Sequence, residues 1–377
     1  RIGDRSTNVD TMTETSRATS DPVESARDAG LVYVNRDGPG ITRKRRGKSF
    51  EYFDADGKRI TDPDELFRIR SLVVPPAWTY VWICPNWRGH IQAVGTDARG
   101  RTQYRYHPKW REVRDESKYE RMIEFAKVLP KIRARVRRDL RKPGLSREKV
   151  LATVVKLLET TLIRVGNGEY AKNNKSYGLT TIRNKHVEVH GSKIHFEFRG
   201  KSGVEHAIDI DDPRLAKVVR ACQDLPEQEL FEYIDEADGS RHDITSSDVN
   251  AYLKQITGQD FTAKDFRTWA GTVLAAMALQ EFERFDSQAQ AKRNVVAAIE
   301  SVAKKLGNTK AVCRKCYIHP AVIDTYMEGE LARSLKRRVE QKLKRSLGAL
   351  APEEAAVLAL LQQRLAKASK LIGKKAA

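Results

Sequence analysis

Two hydrophobic periods share this chain, and the point where one gives way to the other does most to limit its fold. From Leu31 to about Arg114 the apolar residues come in short steps, each bounded by Gly, Pro, Asn or Asp. Ile41 to Ile60 holds two short alternating segments around Asp54-Ala55-Asp56-Gly57, where the Asp-Gly pair is a hairpin signal. Tyr80 to Cys84 and His90 to Val94 continue the pattern. Alternation buries one face of a strand, so this part predicts a small, mainly antiparallel β domain. At Ser117 the period changes. Met122, Phe125, Val128 and Ile132 recur at helical spacing among Lys131, Arg133, Arg135, Arg137, Arg138 and Arg141, with Pro130 expected to kink or divide the helix. A chain that changes period in this way predicts an α+β fold, with the sheet first and the helices after it.

Within the helical part, Leu151, Val154, Val155, Leu158 and Leu162 share one face of a helix over Val150 to Ile163. A strand is expected over Thr180 to Val189, followed by a turn at His190-Gly191-Ser192-Lys193 and a second strand from Ile194 to Gly200. There Ile194, Phe196 and Phe198 fall on one face and His195, Glu197 and Arg199 on the other, and a Gly200-Lys201-Ser202-Gly203 turn follows. Helix starts are marked at Asp212-Pro213, at Thr245 to Asp248, and at Thr262 with Asp265, while Gly307 closes a helix through Val295, Val296, Ile299 and Val302. The expected organisation is a disordered polar leader (1–30), a β-rich domain (31–114), a mostly helical domain with a small hairpin sheet (115–330), and a basic helical tail (331–377). The leader has no aromatics and no apolar stretch, so it does not read as a secretory signal. The tail opens on a cationic stretch from Arg333 to Arg345, and an Ala/Leu-rich helix to Ile372 follows.

Charge then narrows the partners. Lys and Arg number 69 against 50 Asp and Glu, a net +19, which favours a polyanion, nucleic acid ahead of an acidic membrane. No apolar run approaches a membrane span. Four cysteines in 377 residues make no disulfide framework, and Cys313 and Cys316 form a lone C-x-x-C without the further ligands that zinc needs. There is no Gly-rich phosphate loop to support ATP use, and no H-E-x-x-H or carboxylate cluster to support a catalytic metal. What remains is a set of arginines and lysines in ordered-looking elements and one tyrosine, Tyr317, in basic surroundings. Such a set suits phosphoryl transfer to a side chain. Without a metal, the charge on a pentacoordinate phosphorus falls to positioned guanidinium and ammonium groups, and arginine stays protonated throughout.

The stretches LLETTLIRVGN, YGLTTIRNKHVEV, FEFRGKSG, KDFRTWAGT and LGNTKAVCRKCYIHP resemble, in that order, motifs of the poxviral and bacterial topoisomerase IB family. GRTQYRYHPKW resembles the DNA-facing segment of that family's smaller domain, and the likeness runs from about Tyr33 to Tyr326. It implies a tyrosine recombinase/topoisomerase IB-like fold and relaxation of supercoiled duplex DNA through a 3′-phosphotyrosyl intermediate, with neither ATP nor a required metal. Position by position, it implies Tyr317 as nucleophile, Arg164 and Arg267 as the clamp on the scissile phosphate, and Lys201 as the acid that protonates the departing 5′ oxygen. Lys264 corresponds to an auxiliary phosphate contact, and Gln103, Tyr104 and Tyr106 to DNA contacts of the small domain. Asn308 stands where nuclear and poxviral members carry histidine; as in bacterial members, its amide donates a hydrogen bond but carries no charge. Lys310 falls between Asn308 and Tyr317. The implied partner is double-stranded DNA, clamped by a monomer between its two domains, in the cytoplasm at the nucleoid, with no membrane and no nucleotide cofactor.

Two other readings compete. A tyrosine recombinase or integrase uses similar groups but usually carries a helical DNA-binding domain, where residues 31–114 read as β. A non-catalytic architectural protein needs the charge alone and has no use for ordered motifs. Arg267 gives a residue-level hint of function. It falls in the first turn after a cap, where a cation opposes the helix dipole.

Overall fold

The first strands are short because glycine and proline punctuate them, and they pair with their sequence neighbours. In the computed structural model, which describes residues 22–47, 49–98, 100–226, 229–282, 285–335 and 350–375 (backbone alone at 112–119, 170 and 367–375), the chain divides into two units at Arg121/Met122. The first unit opens with α1 (Pro22–Asp28) and holds β1 (Ile41–Arg46), β2 (Ser49–Phe53), α2 (Pro63–Ser71), β3 (Thr79–Ile83), β4 (Ile91–Thr96) and β5 (Thr102–Tyr106). The strands form one antiparallel sheet in the order β2-β1-β3-β4-β5. Ile41, Val81, Ile83 and Ala93 from its strands bury against Ile69 of α2, whose start is fixed by the Asp62 carboxylate accepting from Asp64 N.

Two expectations for this unit need correcting. The register Arg46↔Ser49 puts the β1–β2 turn just after Arg46, with Gly47 at φ 61, and not at Asp54–Gly57. Alternation hid it because β1 runs on as Arg43-Lys44-Arg45-Arg46. Asp54–Gly57 does turn the chain, with Asp54 Oδ1 accepting from Lys58 N (2.8 Å), but it leads only to the Phe53↔Arg59 bridge. The polar leader also ends earlier than expected. Residues 22–28 are helical because Ala26 and Leu31 find an apolar partner in Trp110, far along the chain; residues 1–21 lie outside the described residues.

The second unit begins inside α3 (Pro108–Asp139), which runs through Pro130 without a break. A proline removes one helical donor, and buried Phe125, Leu129 and Ile132 hold the helix together around it. There follow α4 (Arg147–Thr161), α5 (Gly168–Asn174), β6 (Val187–His190), β7 (Lys193–Arg199), β8 (Glu205–Asp211), α6 (Pro213–Gln223), β9 (Glu232–Ile234) and β10 (Arg241–Asp243). Then come α7 (Ser246–Thr257), α8 (Ala263–Glu281), α9 (Gln288–Leu306), α10 (Lys310–Tyr317), α11 (Pro320–Met327) and α12 (Pro352–Lys375). Strands β6-β7-β8 form a three-stranded meander, with its first turn at His190↔Lys193 and Ile194, Phe196 and Phe198 buried on one face, as the alternation predicts. The strand expected from Thr180 starts only at Val187. Leu179 N and Thr180 N instead bond to Arg164 O (2.9 Å) and Val165 O (2.7 Å), tying this segment to the loop that leaves α4.

The caps at Asp212, Thr245, Thr262 and Gly307 open or close α6, α7, α8 and α9 as read from the sequence. α12 is a packed element of this unit rather than a loose tail. Ala355, Val357, Leu358 and Leu361 are buried, and Glu354 accepts from both Nη atoms of Arg133 (2.7 and 2.9 Å) and from Trp269 Nε1 (3.1 Å). Burial works against the Arg133 charge, but its bonds to Glu354 and Glu159 raise its pKa above the ordinary arginine value. Most of the cationic stretch lies outside the described residues. Among those described, no helix is long and apolar enough to cross a membrane.

Candidate active site

Among the described residues Arg267 is the best-buried cation of the second unit, 4% exposed although it sits near the start of α8. A cation there opposes the dipole of its own helix. The fold offsets this by aiming the guanidinium at the carboxyl ends of two others. Nη2 donates to Leu306 O at the end of α9 (2.6 Å), and Nη1 donates to Leu162 O, the left-handed C-cap of α4. Helix carboxyl ends carry partial negative charge, so each contact is favourable. Arg164 lies two residues past Leu162, in the loop pinned by Leu179 N. Its Nη2 donates to Gly307 O (3.2 Å) and to Asn308 Oδ1. Burial, and then the nearby Arg267, push the Arg164 pKa down to about 10, which leaves it charged at neutral pH.

Asn308 follows the glycine cap of α9 and is held there by its own N–H to Ala303 O (2.9 Å). With Oδ1 accepting from Arg164, its Nδ2 is left as a buried donor. Among the described residues Nδ2 has no partner, and neither does Arg267 Nε. A buried unpaired donor costs about 1–3 kcal/mol. Two such donors in one pocket point to a place prepared for acceptor oxygens. Tyr317 closes α10, half-buried, with the Arg267 guanidinium 5.4 Å from its ring centroid.

The seat of Tyr317 comes from two residues that sequence reasoning missed. At Gly271, in the middle of α8, an added Cβ would fall 2.7 Å from Tyr317 O and 3.0 Å from Tyr317 Cβ, so only glycine lets α10 approach this closely. Next to it, buried Thr272 Oγ1 lies 3.2 Å from Tyr317 O and accepts from His319 N (3.1 Å). The available signal was a glycine inside a 19-residue helix, a placement that costs about 1 kcal/mol relative to alanine. Gly271→Ala is expected to displace the nucleophile's backbone and slow DNA cleavage by about 10²-fold, the scale for an ångström of misplacement. Single-turnover cleavage checks this, and a wild-type rate in the variant would rule out the close approach as a requirement.

The other candidates are placed as follows. Lys201 is exposed at the turn between β7 and β8, and Lys264 is exposed one helical turn before Arg267. Neither joins the group formed by buried Arg267 with half-buried Arg164, Asn308 and Tyr317. Lys310 opens α10 and pairs with Glu300 on α9 (3.4 Å) at the surface. His319 caps α11, its Nδ1 accepting from Ala321 N (3.0 Å). α10 sets the Cys313 and Cys316 thiols one turn apart, and burial pushes the Cys313 thiol up to about 11. In the first unit, strand alternation puts Gln103 on one face of β5 and Tyr104 and Tyr106 on the other. The two tyrosine rings stack with centroids 5.8 Å apart, while Gln103 Nε2 donates to Asp97 (3.0 Å). The three do not form one contact surface.

Guanidinium and amide donors gathered around one phenol suit the binding of a phosphodiester in line with the phenolic oxygen. With the helical core and the N-terminal sheet, the arrangement fits enzymes that break and rejoin DNA. Comparison with known proteins carries this to a family. Residues 107–345 match the eukaryotic DNA topoisomerase I catalytic core, and residues 49–97 match the N-terminal domain of bacterial DNA topoisomerase IB. The chain is 32% identical over 293 residues to DNA topoisomerase 1B of Acanthamoeba polyphaga mimivirus, covering 76% of this chain and 87% of that protein. It is 25% identical over 236 residues to DNA topoisomerase 1B of vaccinia virus (strain Copenhagen), covering 61% and 71%. The chain belongs to the DNA topoisomerase IB family and is an isomerase of DNA. Its five-stranded sheet stands where a recombinase would usually carry helices.

Proposed function

We propose that this chain relaxes supercoiled duplex DNA by transient cleavage of one strand at the Arg164–Arg267–Asn308–Tyr317 pocket. One observation carries the reading. The loop after α4, α8, the end of α9 and the end of α10 deliver these four side chains to one place, with unpaired donors on two of them. Tyr317 Oη attacks the scissile phosphorus, giving its phenolic proton to solvent water as the Oη–phosphorus bond forms and the bond from phosphorus to the 5′ oxygen breaks. Arg164, Arg267 and Asn308 Nδ2 bind the non-bridging oxygens, where charge grows in the transition state. Lys201 swings from its exposed turn to protonate the leaving 5′ oxygen. The phosphotyrosine bond retains the energy of the cut, so the 5′ hydroxyl can reverse the step after strand rotation without ATP.

Lys264 adds a phosphate contact beside Arg267, and Gln103, Tyr104 and Tyr106 contact DNA from the first unit through phosphates or base edges. The reading has the enzyme acting as a monomer, and its substrate argues for a cytoplasmic enzyme at the nucleoid. With EDTA present and ATP absent, the protein is expected to relax both positively and negatively supercoiled plasmid. Rising salt should weaken binding steeply, because the affinity rests on phosphate contacts. A strict requirement for magnesium or ATP in that assay would sink the mechanism.

A further inference from the structure

β8 carries a side chain that none of the motif residues accounts for. His206 pairs in register with Phe198 of β7, and the two rings stack with centroids 5.0 Å apart at 19°. The imidazole edge then fills the space left by two glycines. At Gly200 an added Cβ would fall 2.6 Å from His206 Cδ2 and Nε2; at Gly307 it would fall 2.6 Å from Cε1. Gly307 has a second reason to be glycine, since it caps α9 at φ 58. Gly200 has none. Its φ of −94° is open to any residue, so the ring alone excludes a side chain there. Gly200 directly precedes Lys201, and Gly307 directly precedes Asn308.

We propose that His206 is a positioning residue, a spacer that sets the Lys201 turn against the Gly307–Asn308 turn and so holds the proposed general acid in register with the arginine pocket. The inference rests on the reading of Lys201 and the pocket given above. The chemistry of the spot suits an uncharged ring. Burial first, and then Arg164 and Arg267, push the His206 pKa below the ordinary histidine value, with only Glu205 acting the other way. A flat, neutral imidazole therefore fits between two close backbones without adding a third cation to the pocket. At the hairpin tip Gly200 N reaches Val204 O (2.7 Å) and Gly203 N reaches Gly200 O (3.1 Å), while Tyr177 N ties the base of the turn through Arg199 O (2.9 Å). The first two bonds shape the turn and the third anchors its base, and His206 supplies the contact toward Gly307.

The test compares single-turnover cleavage of an ordinary duplex with cleavage of one carrying a 5′-bridging sulfur, whose departure needs little protonation. His206→Ala should slow the ordinary substrate by about 10²-fold, the cost of a misplaced group, and leave the sulfur substrate close to the wild-type rate. His206→Phe, which keeps a flat ring, should restore most of the ordinary rate. Gly200→Ala should reproduce the His206→Ala defect, and the double variant should be no slower than either single one, because both changes break one contact. Equal slowing of both substrates by His206→Ala, or a wild-type rate on both, would overturn the proposal. Failure of the underlying reading shows separately, as Lys201→Ala being equally slow on both substrates while His206 is intact.

Discussion

Tyr317→Phe is expected to abolish relaxation while leaving DNA binding in place. The substitution removes one oxygen and keeps the ring that lies 5.4 Å from the Arg267 guanidinium. Tyr317 O stays beside Thr272 Oγ1, so α10 keeps its seat on α8. Binding should persist because Arg164, Arg267 and the +19 net charge are untouched. Turnover should fall on the order of 10⁶-fold or to background, the scale seen when a covalent nucleophile is removed. In the wild type, detergent trapping should yield an adduct on the peptide holding Tyr317, joined to the 3′ side of the break with a free 5′ hydroxyl. Tyr326→Phe supplies the control. Tyr326 is buried, and its hydroxyl accepts from Asn294 Nδ2 (2.7 Å). Its loss should cost about 1 kcal/mol of stability and leave the adduct intact. An adduct that persists in Tyr317→Phe, or one carried on a 5′-phosphate, would overturn the assignment.

Lys201→Ala should slow cleavage by about 10²–10⁴-fold, the range for lost general acid catalysis. The residue is exposed at a hairpin tip, so truncating it removes little packing and the fold should be undisturbed. The expected signature is therefore chemical. A substrate with a sulfur leaving group should recover most of the loss, because the better leaving group no longer needs the proton. Should the variant remain equally slow on that substrate, Lys201 would act on the phosphate or on the turn itself, and the acid would have to be sought elsewhere.

The helices were readable where a cap and a period agreed. Thr262 with Asp265 and the Gly307 stop bracketed α8 and α9 because each cap bond is local, made within four residues of sequence. Where a distant partner decides, the sequence was silent. Leu179-Thr180-Thr181 has the β-branched texture of a strand, yet the amides of Leu179 and Thr180 bond to the loop after α4. Ala26 looked like part of a polar leader until Trp110 covered it. The candidate site divides in the same way. Arg164, Arg267, Asn308 and Tyr317 sit in motifs that could be named, and they converge. The pairing of Lys310 with Glu300 on the preceding helix is another contact that no sequence spacing records. Gly271, Thr272 and His206 escaped notice because what each does is a contact across the fold, and no period or spacing records it.

The position of Glu354 also sets an order of synthesis. Among the described elements, α12 is the last that a ribosome would make, and it brings the carboxylate that meets Arg133 on α3 and Trp269 on α8. Until it emerges, Arg133 has Glu159 as its remaining carboxylate partner, and the surface that Ala355, Val357 and Leu361 will cover stays wet. The five-stranded sheet, in contrast, is complete at Tyr106, well before this. Domains mature in the order they are made, so the first unit is finished before the second. The second unit, which carries Arg164, Arg267, Asn308 and Tyr317, closes only once α12 has packed, so a nascent chain holds a complete sheet before it holds a complete candidate site.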